Sequence, residues 1–282
     1  VKKILILANS SGGLYDFRND FVLGLLKDYE VYVSIPDEVK TKELAEEGCK
    51  IIKTPINRRG VNPVEDFKLC LAYRKLMKEI KPDLVATYTI KPNIYGGMAA
   101  QSRKLPYIET ITGLGGAFDR KGLFLKLIVT LYRIGMKRAE CIFFQNRENR
   151  QIFRDFGIEG KSECLVNGSG VDLIRHTFEP YPMDEKCQFL FVGRVMKERG
   201  IVEFLEAAKK LHSENVEFAI LGYCDEDYQQ QLDDLEKQGV ITQLGFHTEV
   251  HPYLKAASAI VIASFHEGMS NALIEASATG RP

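Results

Sequence analysis

Short runs of aliphatic and β-branched residues alternate with longer segments of helical periodicity along the whole chain. The first example is an apolar run over 3–8, a turn over 9–13 and a helical segment over 15–27. Apolar runs without polar alternation are typical of strands buried on both faces, and such strands occur in parallel sheets that are covered by helices. The sequence therefore predicts an α/β fold built on parallel sheets.

The alternation is interrupted once, which indicates two domains. The stretch that ends at Lys186 is polar, contains two prolines and has weak periodicity. We therefore predict a first domain over 1–168, a linker over 169–186 and a second domain over 187–282. The closing residues Gly280-Arg281-Pro282 suggest a turn before another strand, so we expect the second domain to be truncated at its C-terminal end.

The predicted elements follow this division. In the first domain we predict further strands over 31–35, 50–53, 84–87, 107–111, 141–144 and 163–166, and helices over 39–47, 64–80, 94–103, 123–138 and 147–156. In the second we predict strands over 189–192, 217–221, 241–244 and 259–263, helices over 198–211 and 226–237, and a helix on each side of the last strand.

Composition limits the classes of partner. The chain has 282 residues, of which 45% are apolar, and its 38 Lys and Arg residues balance 38 Asp and Glu residues. This balance argues against nucleic acid as the partner. No apolar run approaches the roughly 20 residues of a membrane span, so we expect any membrane contact to be peripheral. The six cysteines lack C-x-x-C spacing and the histidines lack zinc-site spacing, which favours a cytoplasmic protein without a bound metal.

Two glycine clusters follow predicted strands. Ser11-Gly12-Gly13 comes after the first strand, where missing Cβ atoms would let backbone N–H groups approach a phosphate. A tight turn explains this cluster equally well. The second cluster runs from Gly113 to Gly116, at the carboxyl edge of the sheet where α/β proteins bind ligands. It forms either a cleft wall or an ordinary loop.

Two arginines lie near the first strand of the second domain. Gly193-Arg194 ends that strand and Arg199-Gly200 opens the next helix, so both guanidinium groups belong to the same sheet edge. Arginine offers planar, permanently charged donors, which suits a diphosphate leaving group. The alternative is a solvated charged face over Lys197-Glu198-Arg199.

The stretch 265–275 carries the strongest signal in the sequence. Glu267 precedes a predicted helix, and Gly268 to Asn271 place small residues and N–H groups at its positive end. Glu275 follows Asn271 by about one turn and has apolar neighbours in sequence, which fits poorly with an exposed glutamate. Carboxylates accept hydrogen bonds from vicinal hydroxyls, so Glu275 suits a ribose and Glu267 a transferred sugar.

Together these segments resemble the retaining glycosyltransferases of the glycogen-synthase-like group 1 class, glycosyltransferase family 4. The resemblance rests on the first strand with its glycine turn, on 192–194 with 197–200, on Leu244-Gly245-Phe246 and on the E-x7-E stretch continuing to Pro282. It implies a GT-B type fold, in which two Rossmann-like domains with parallel sheets face each other. The segments at 15–18, 91–93 and 113–115 are most similar to bacterial enzymes that extend undecaprenyl-diphosphate-linked oligosaccharides.

The resemblance implies a transferase that moves a sugar from a UDP-linked donor to a lipid-linked or saccharide acceptor. The configuration at the anomeric carbon would be retained, and neither a metal ion nor a cofactor would be needed. The first domain would bind the acceptor and the second the donor. The implied catalytic residues are Glu267, Arg194 and Arg199; the donor-binding residues are Gly13, Gly193, Phe246, Gly268, Met269, Ser270, Asn271 and Glu275; and the acceptor-binding residues are Arg18, Lys91, Gly113 and Gly115.

The sequence departs from the family pattern at two positions. Arg199 stands where the family usually has lysine, and Thr112 stands where many relatives carry a histidine, so we assign no side-chain base. The sequence leaves two alternatives to a transferase. One is a UDP-sugar epimerase of the same architecture, and the other is a truncated, non-catalytic fragment that keeps nucleotide binding or has lost it.

A basic amphipathic segment runs from Arg120 to Arg138. Such a helix can lie on an anionic membrane, here the inner face of the cell membrane, or it can cover the core with a solvated basic face. Its cationic residues are Lys121, Lys126, Arg133, Lys137 and Arg138, and they accompany Leu123, Phe124, Leu127, Leu131 and Ile134.

Overall fold

The computed structural model describes residues 1–57, 62–114, 118, 122–183 and 186–282. The chain divides into two compact units, Val1–Ser169 and Gly170–Pro282. Each unit has its own parallel sheet with helices packed against it. The predicted parallel α/β architecture is therefore confirmed for both.

The first unit contains a sheet of seven parallel strands in the order β3-β2-β1-β4-β5-β6-β7. Its strands are β1 (Lys3–Leu7), β2 (Glu30–Ile35), β3 (Lys50–Lys53), β4 (Leu84–Tyr88), β5 (Tyr107–Ile111), β6 (Cys141–Phe144) and β7 (Glu163–Leu165). Its helices are α1 (Ser11–Leu26), α2 (Thr41–Glu46), α3 (Pro63–Ile80), α4 (Gly97–Arg103), α5 (Leu123–Met136) and α6 (Arg147–Asp155). The strand order reverses between β1 and β4, and this is where open α/β sheets form a ligand crevice.

Apolar residues cover both faces of the first sheet. Along β1, Leu5 and Leu7 belong to one core cluster while Ile4 and Ile6 belong to the other. This alternation follows from the period of two in a strand, and it explains why the run is apolar throughout. Full burial of each such side chain contributes about 1.5–3 kcal/mol to stability.

Two helix starts differ from the sequence interpretation. We expected a turn over 9–13, but α1 begins at Ser11 because Ser10 adopts an extended conformation and its hydroxyl caps the helix by accepting from the Gly13 N–H. The helix expected from 94 begins as a π-helical turn over Pro92–Gly96 that continues into α4. A Cβ at Gly97 would lie 2.4 Å from the Gly135 carbonyl oxygen, so α4 and α5 approach closely because this residue is glycine.

The second unit contains four described parallel strands in the order β10-β9-β8-β11. They are β8 (Cys187–Val192), β9 (Val216–Leu221), β10 (Thr242–Gly245) and β11 (Ala259–Val261), and the helices are α7 (Ile201–Leu211), α8 (Gln229–Lys237), α9 (His251–Ala256) and α10 (Asn271–Thr279). A 3-10 turn over Lys197–Arg199 precedes α7, where we expected helix from 198. The strand order reverses between β8 and β11, so the crevice of this sheet lies where those two strands end.

The stretch 170–183 falls in the predicted linker, and its backbone is hydrogen-bonded to the second unit. The Glu179 N–H donates to the Thr279 carbonyl oxygen over 3.1 Å. The buried Arg281 guanidinium donates to the carbonyl oxygens of Glu179, Pro180 and Lys255 over 3.0, 2.8 and 2.7 Å. These bonds hold the stretch against the C-terminal ends of α9 and α10.

Candidate active site

Two glycines bring the ends of β8 and β9 together. A Cβ at Gly222 would lie 1.8 Å from the Gly193 carbonyl oxygen, a separation that no side chain could tolerate. Beyond this point the strands pair again, since the Val195 N–H donates to the Tyr223 carbonyl oxygen and the Asp225 N–H donates to the Val195 carbonyl oxygen. The Gly193 N–H also donates to the Leu221 carbonyl oxygen over 3.0 Å, so the backbone is fixed before, at and after this glycine.

The loop after β8 also touches the loop after β11. A Cβ at Gly200 would lie 2.1 Å from the Ala263 carbonyl oxygen, and the Phe265 N–H donates to the Glu198 carbonyl oxygen over 3.0 Å. The close approach requires glycine at position 200, whose φ is +75°. These two contacts place the arginine loop beside the E-x7-E stretch.

Arg199 and Glu267 form a direct ion pair across these loops. Arg199 Nη1 donates to Glu267 Oε1, and both side chains are partly buried. Burial lowers the pKa of Arg199, and the nearby Arg194 lowers it further, yet the guanidinium remains charged at any physiological pH. Arg199 and Glu267, two of the three predicted catalytic residues, are thus in direct contact, and the charge of the third, Arg194, is close enough to affect the pKa of Arg199.

Arg194 pairs with a residue that the sequence interpretation missed. Its Nη1 lies 2.9 Å from Asp225 Oδ2, and the Asp225 carboxylate is largely buried while Arg194 is exposed. Asp225 lies just past the end of β9, beside the strand that precedes Arg194. An acidic residue soon after a neighbouring parallel strand is a signal that could have predicted this pair.

Helix α10 presents its N-terminus at the same edge. Ser270 is the N-cap, and its hydroxyl accepts from the Leu273 N–H over 3.4 Å. The N–H groups of Asn271 and Ala272, at the first two helical positions, have no acceptor within the helix and carry its positive pole. Gly268 and Met269 lie in the turn that leads to this cap. The arrangement can accept an anion beside Arg199 and Glu267.

Glu275 lies one turn further along α10 and is mostly buried. Its Oε1 is 4.0 Å from Nε2 of His176, a buried residue in the stretch 170–183. Desolvation lowers the pKa of His176, and the positive charge of Arg175 and the neighbouring His251 lower it further. His176 is therefore neutral at pH 7, and nothing in the sequence pattern indicated its contact with Glu275.

An exposed aromatic pair occupies the far side of this edge. Phe246, which follows β10, and Tyr223, which follows β9, have ring centroids 5.8 Å apart and a nearly perpendicular arrangement. Phe246 is 62% exposed and Tyr223 is 47% exposed, so both rings leave a face open to solvent. Such rings offer a stacking surface to a planar ligand. Tyr223 was not predicted as a site residue.

In the first unit, the N-terminus of α1 is already bound to groups of the chain itself. The Gly13 N–H donates to Ser10 Oγ over 3.3 Å, while the Ser11 N–H donates to Asp37 Oδ1 over 2.9 Å and the Ser11 hydroxyl bonds to the same oxygen. Asp37 therefore supplies the negative charge that the pole of this helix attracts. Gly13 follows the first strand, but it lies inside a helix rather than in the turn expected over 9–13.

Arg18 reaches back to the same edge from the second turn of α1. Its Nη1 donates to the Gly13 carbonyl oxygen over 3.0 Å, and its guanidinium lies 4.9 Å from the centre of the Tyr88 ring. Burial lowers the pKa of Arg18, whereas the interaction with Tyr88 opposes that shift. The charge is thus positioned where β1 and β4 diverge.

Lys91 lies nearby but is held by a buried partner. Its Nζ lies 2.7 Å from Asp66 Oδ1, and both side chains are almost fully buried. Asp66 also lines a cleft of about 590 Å³ next to the ends of β2 and β3, together with Thr54, Asn57, Glu65 and Leu69. Gly113 follows β5 at the same edge with a φ of +147°. Gly115 lies outside the described residues.

Two further observations concern metals and membranes. Among residues 1–57, 62–114, 118, 122–183 and 186–282, no group of three or more His, Cys, Asp or Glu side chains could hold a metal ion. No helix in the described part of the chain combines the length and apolar character needed to cross a bilayer.

The chain is similar to known proteins over its whole length. It is 26% identical to the N,N'-diacetylbacillosaminyl-diphospho-undecaprenol alpha-1,3-N-acetylgalactosaminyltransferase of Campylobacter jejuni, covering 99% of this chain and 79% of that protein. It is 27% identical to the UDP-Gal:alpha-D-GlcNAc-diphosphoundecaprenol alpha-1,3-galactosyltransferase of Escherichia coli, covering 79% of this chain and 62% of that protein. The matched part of the chain thus spans less than two thirds of the second relative.

Solved structures support the fold. HepE of Anabaena in complex with UDP-glucose superposes with a TM-score of 0.77 at 16% identity, covering 100% of this chain and 79% of that one. Sucrose-phosphate synthase of Thermosynechococcus elongatus superposes with a TM-score of 0.76 at 16% identity, covering 100% and 80%. These similarities confirm the predicted GT-B fold class.

Family comparisons agree with the motifs. Residues 186–282, which carry the arginines and the E-x7-E stretch, match the family described as Glycosyl transferases group 1. Residues 3–146, more than half of the chain, match the family described as Glycosyl transferase 4-like. The chain therefore belongs to the Glycosyl transferase 4-like family of enzymes.

Proposed function

We propose that this enzyme is a retaining glycosyltransferase that moves a sugar from a UDP-linked donor to a lipid-linked oligosaccharide or polysaccharide precursor. The names of the Campylobacter and Escherichia relatives describe transfer to undecaprenyl-diphosphate-linked sugars, which supports this acceptor class. The observation that carries the proposal is the meeting of Arg199, Glu267 and the positive pole of α10 at the switch point of the second sheet.

In this proposal the second unit binds the donor. The diphosphate lies between the two guanidinium groups and the N-terminus of α10, with Gly193 and Gly268 in the adjoining loops. The carboxylate of Glu275 accepts hydrogen bonds from the ribose hydroxyls, and that of Glu267 contacts the transferred sugar. The exposed Phe246 and Tyr223 rings suit the planar uracil base. Met269, Ser270 and Asn271 complete this donor-binding set.

The chemistry then follows from charge placement. The acceptor hydroxyl oxygen bonds to the anomeric carbon on the face from which the diphosphate departs, so the configuration is retained. The bond between the anomeric carbon and the diphosphate oxygen breaks, and UDP leaves with that electron pair. A diphosphate oxygen accepts the acceptor's proton. Arg194 and Arg199 stabilise the negative charge that grows on the leaving group.

We also propose that the reaction needs neither a metal ion nor a cofactor. Two arginines and a helix pole supply positive charge at the diphosphate, which is the role that Mg²⁺ has in other phosphate-transfer sites. The acceptor is proposed to bind the first unit near Arg18, Lys91 and Gly113, and Lys91 pairs with Asp66, which lines the cleft.

The proposal is tested by transfer from a panel of UDP-sugars to a synthetic undecaprenyl-diphosphate-linked saccharide, with and without EDTA. We expect a product of retained anomeric configuration by NMR, equal rates in both buffers, and a rate about 100-fold lower for Arg194→Ala because one donor to the leaving group is lost. Arg154→Ala is the matched control, since Arg154 pairs with Glu163 on the surface of the first unit.

Three results would contradict parts of this proposal. A new epimer of a UDP-sugar formed without acceptor would favour the epimerase. Failure to bind UDP in a folded chain would favour a non-catalytic fragment. Loss of activity in EDTA, restored by Mg²⁺, would overturn the proposal that the reaction needs no metal.

We further propose that the enzyme is cytoplasmic and contacts the inner face of the membrane through α5. Leu123, Leu127 and Ile134 form an exposed apolar stripe on this helix, and Leu123 is 85% exposed. Exposed cations lie beside the stripe, among them Lys126 and Lys137. The stripe and its charges match an amphipathic helix on anionic lipid. Arg120 and Lys121, part of the predicted segment, lie outside the described residues.

Sedimentation with vesicles tests this contact. We expect the protein to pellet with vesicles that contain phosphatidylglycerol, and Leu123→Ser with Leu127→Ser to weaken binding about tenfold because two exposed apolar side chains no longer enter the lipid. Val39→Ser, at an exposed position on the first unit, is the control. Wild-type protein that stays in the supernatant would dismiss the membrane contact.

A further inference from the structure

A buried histidine faces the carboxylate that the proposed function assigns to the donor ribose. Nε2 of His176 lies 4.0 Å from Oε1 of Glu275, and the His176 side chain is 5% exposed. Among the described residues no hydrogen-bond partner reaches Nδ1 of His176, although this atom is buried. A buried polar ring with one nitrogen turned to a carboxylate calls for a functional or structural reason.

The surroundings determine which nitrogen carries the proton. His176 is neutral, so it has a single N–H. A proton on Nδ1 would bury an unpaired donor, whereas a proton on Nε2 points toward the Glu275 carboxylate. The favoured tautomer therefore presents Nε2–H to Glu275, at a separation that a small side-chain rotation would shorten to a hydrogen bond.

Other contacts keep the imidazole ring in place. The backbone N–H of His176 donates to the Asp172 carbonyl oxygen over 2.8 Å. The His251 ring packs edge-on against the imidazole, with centroids 5.7 Å apart. His251 is itself placed between Thr279 Oγ1 and Glu179 Oε1, each 3.4 Å from one of its ring nitrogens. A ring fixed in this way can orient the side chain that it faces.

We propose that His176 is a positioning residue that orients the Glu275 carboxylate toward the ribose hydroxyls of the donor. This inference rests on the proposed function, because it takes Glu275 to be the ribose-binding group. His176 does not touch the donor and acts only through Glu275. Its effect should therefore depend on whether the nucleotide has ribose hydroxyls.

Calorimetry on the full chain tests whether the effect of His176 depends on the ribose hydroxyls, by comparing the affinities for two nucleotides. We expect wild-type protein to bind UDP more tightly than 2′,3′-dideoxy-UDP. His176→Phe keeps an aromatic ring in the cluster but removes the N–H, so it should weaken UDP binding about tenfold and leave the dideoxy analogue within about twofold. His176→Gln retains an N–H donor and should recover most of the preference for UDP.

Two control variants separate this role from a structural one. His251→Phe disturbs the same cluster without changing the group that faces Glu275, so it should keep the preference for UDP. Glu275→Ala should lose the preference. Thermal melting of each variant verifies that it is folded.

The possible failures can be distinguished. If Glu275→Ala loses the preference for UDP but folded His176→Phe keeps it, or loses affinity for both nucleotides equally, the inference about His176 is wrong. If wild-type protein does not bind UDP, or Glu275→Ala keeps the preference, the ribose-binding role of Glu275 is wrong and the inference falls with it.

Discussion

Replacement of Arg199 by alanine is expected to lower kcat/KM for sugar transfer about 10³-fold. Arg199 contributes a partly buried guanidinium to the proposed diphosphate site, and removal of one preorganised donor to a developing negative charge costs about 10²–10³-fold in other enzymes. Here the substitution also removes the ion pair between Arg199 and Glu267, beside the anionic donor. Steady-state kinetics with saturating acceptor measures the effect.

The paired partner gives this prediction an internal control. Glu267→Ala is expected to lower turnover by a similar factor, and the double variant should lose much less than the product of the two single losses, because the pair acts as a unit. Arg199→Lys keeps the charge that the family usually has at this position, so it should stay within about tenfold of wild type. Near-normal turnover in folded Arg199→Ala would refute the assigned role.

The sequence predicts the strands better than the ends of the helices. The strands over 50–53, 107–111 and 141–144 have the predicted bounds, because apolar runs between polar or turn residues leave little choice of register. Glycines at 12 and 13 indicated a turn, but the Ser10 cap and its bond to Gly13 start the helix earlier. The Ser10 cap and the bonds of Ser11 to Asp37 together offset the low helix propensity of the two glycines.

The candidate site could be predicted only up to its sheet edge. Parallel strands place all their carboxyl ends on one side, so the motifs alone put Arg194, Arg199 and Glu267 there. The partner choices depend on contacts between residues 31 to 99 positions apart, which no local pattern encodes. The buried His176 was missed for this reason, whereas the place of Asp225 just after β9 is a sequence signal that could have been used.

Glu109, a residue outside the candidate active site, is expected to make the stability of the protein strongly pH-dependent. This residue of β5 is fully buried, and among the described residues neither carboxyl oxygen has a hydrogen-bond partner. Desolvation raises the pKa of Glu109 well above its ordinary value, so the folded protein keeps this carboxyl protonated. The unfolded chain releases the proton above a pKa of about 4.3.

The sign of the pH dependence follows from proton binding. Above pH 4.3 the unfolded state binds fewer protons than the folded state, so this residue lowers the free energy of unfolding by about 1.4 kcal/mol per pH unit until the folded-state pKa is reached. Glu109→Gln removes this linkage. Its stability relative to wild type should therefore increase as the pH rises above 5, by about 1.4 kcal/mol per pH unit as long as the folded-state carboxyl stays protonated.

Urea denaturation of wild type and Glu109→Gln at pH 5, 6, 7 and 8 measures how the free energy of unfolding of each protein changes with pH. Glu140→Gln is the control, because Glu140 lies on the surface in a pair with Lys161 and its loss should leave the slope as in wild type. Parallel stability profiles for Glu109→Gln and wild type would show that the Glu109 carboxyl is ionised in the fold. In that case a partner for its charge must exist, and its neutral state in the core would be excluded.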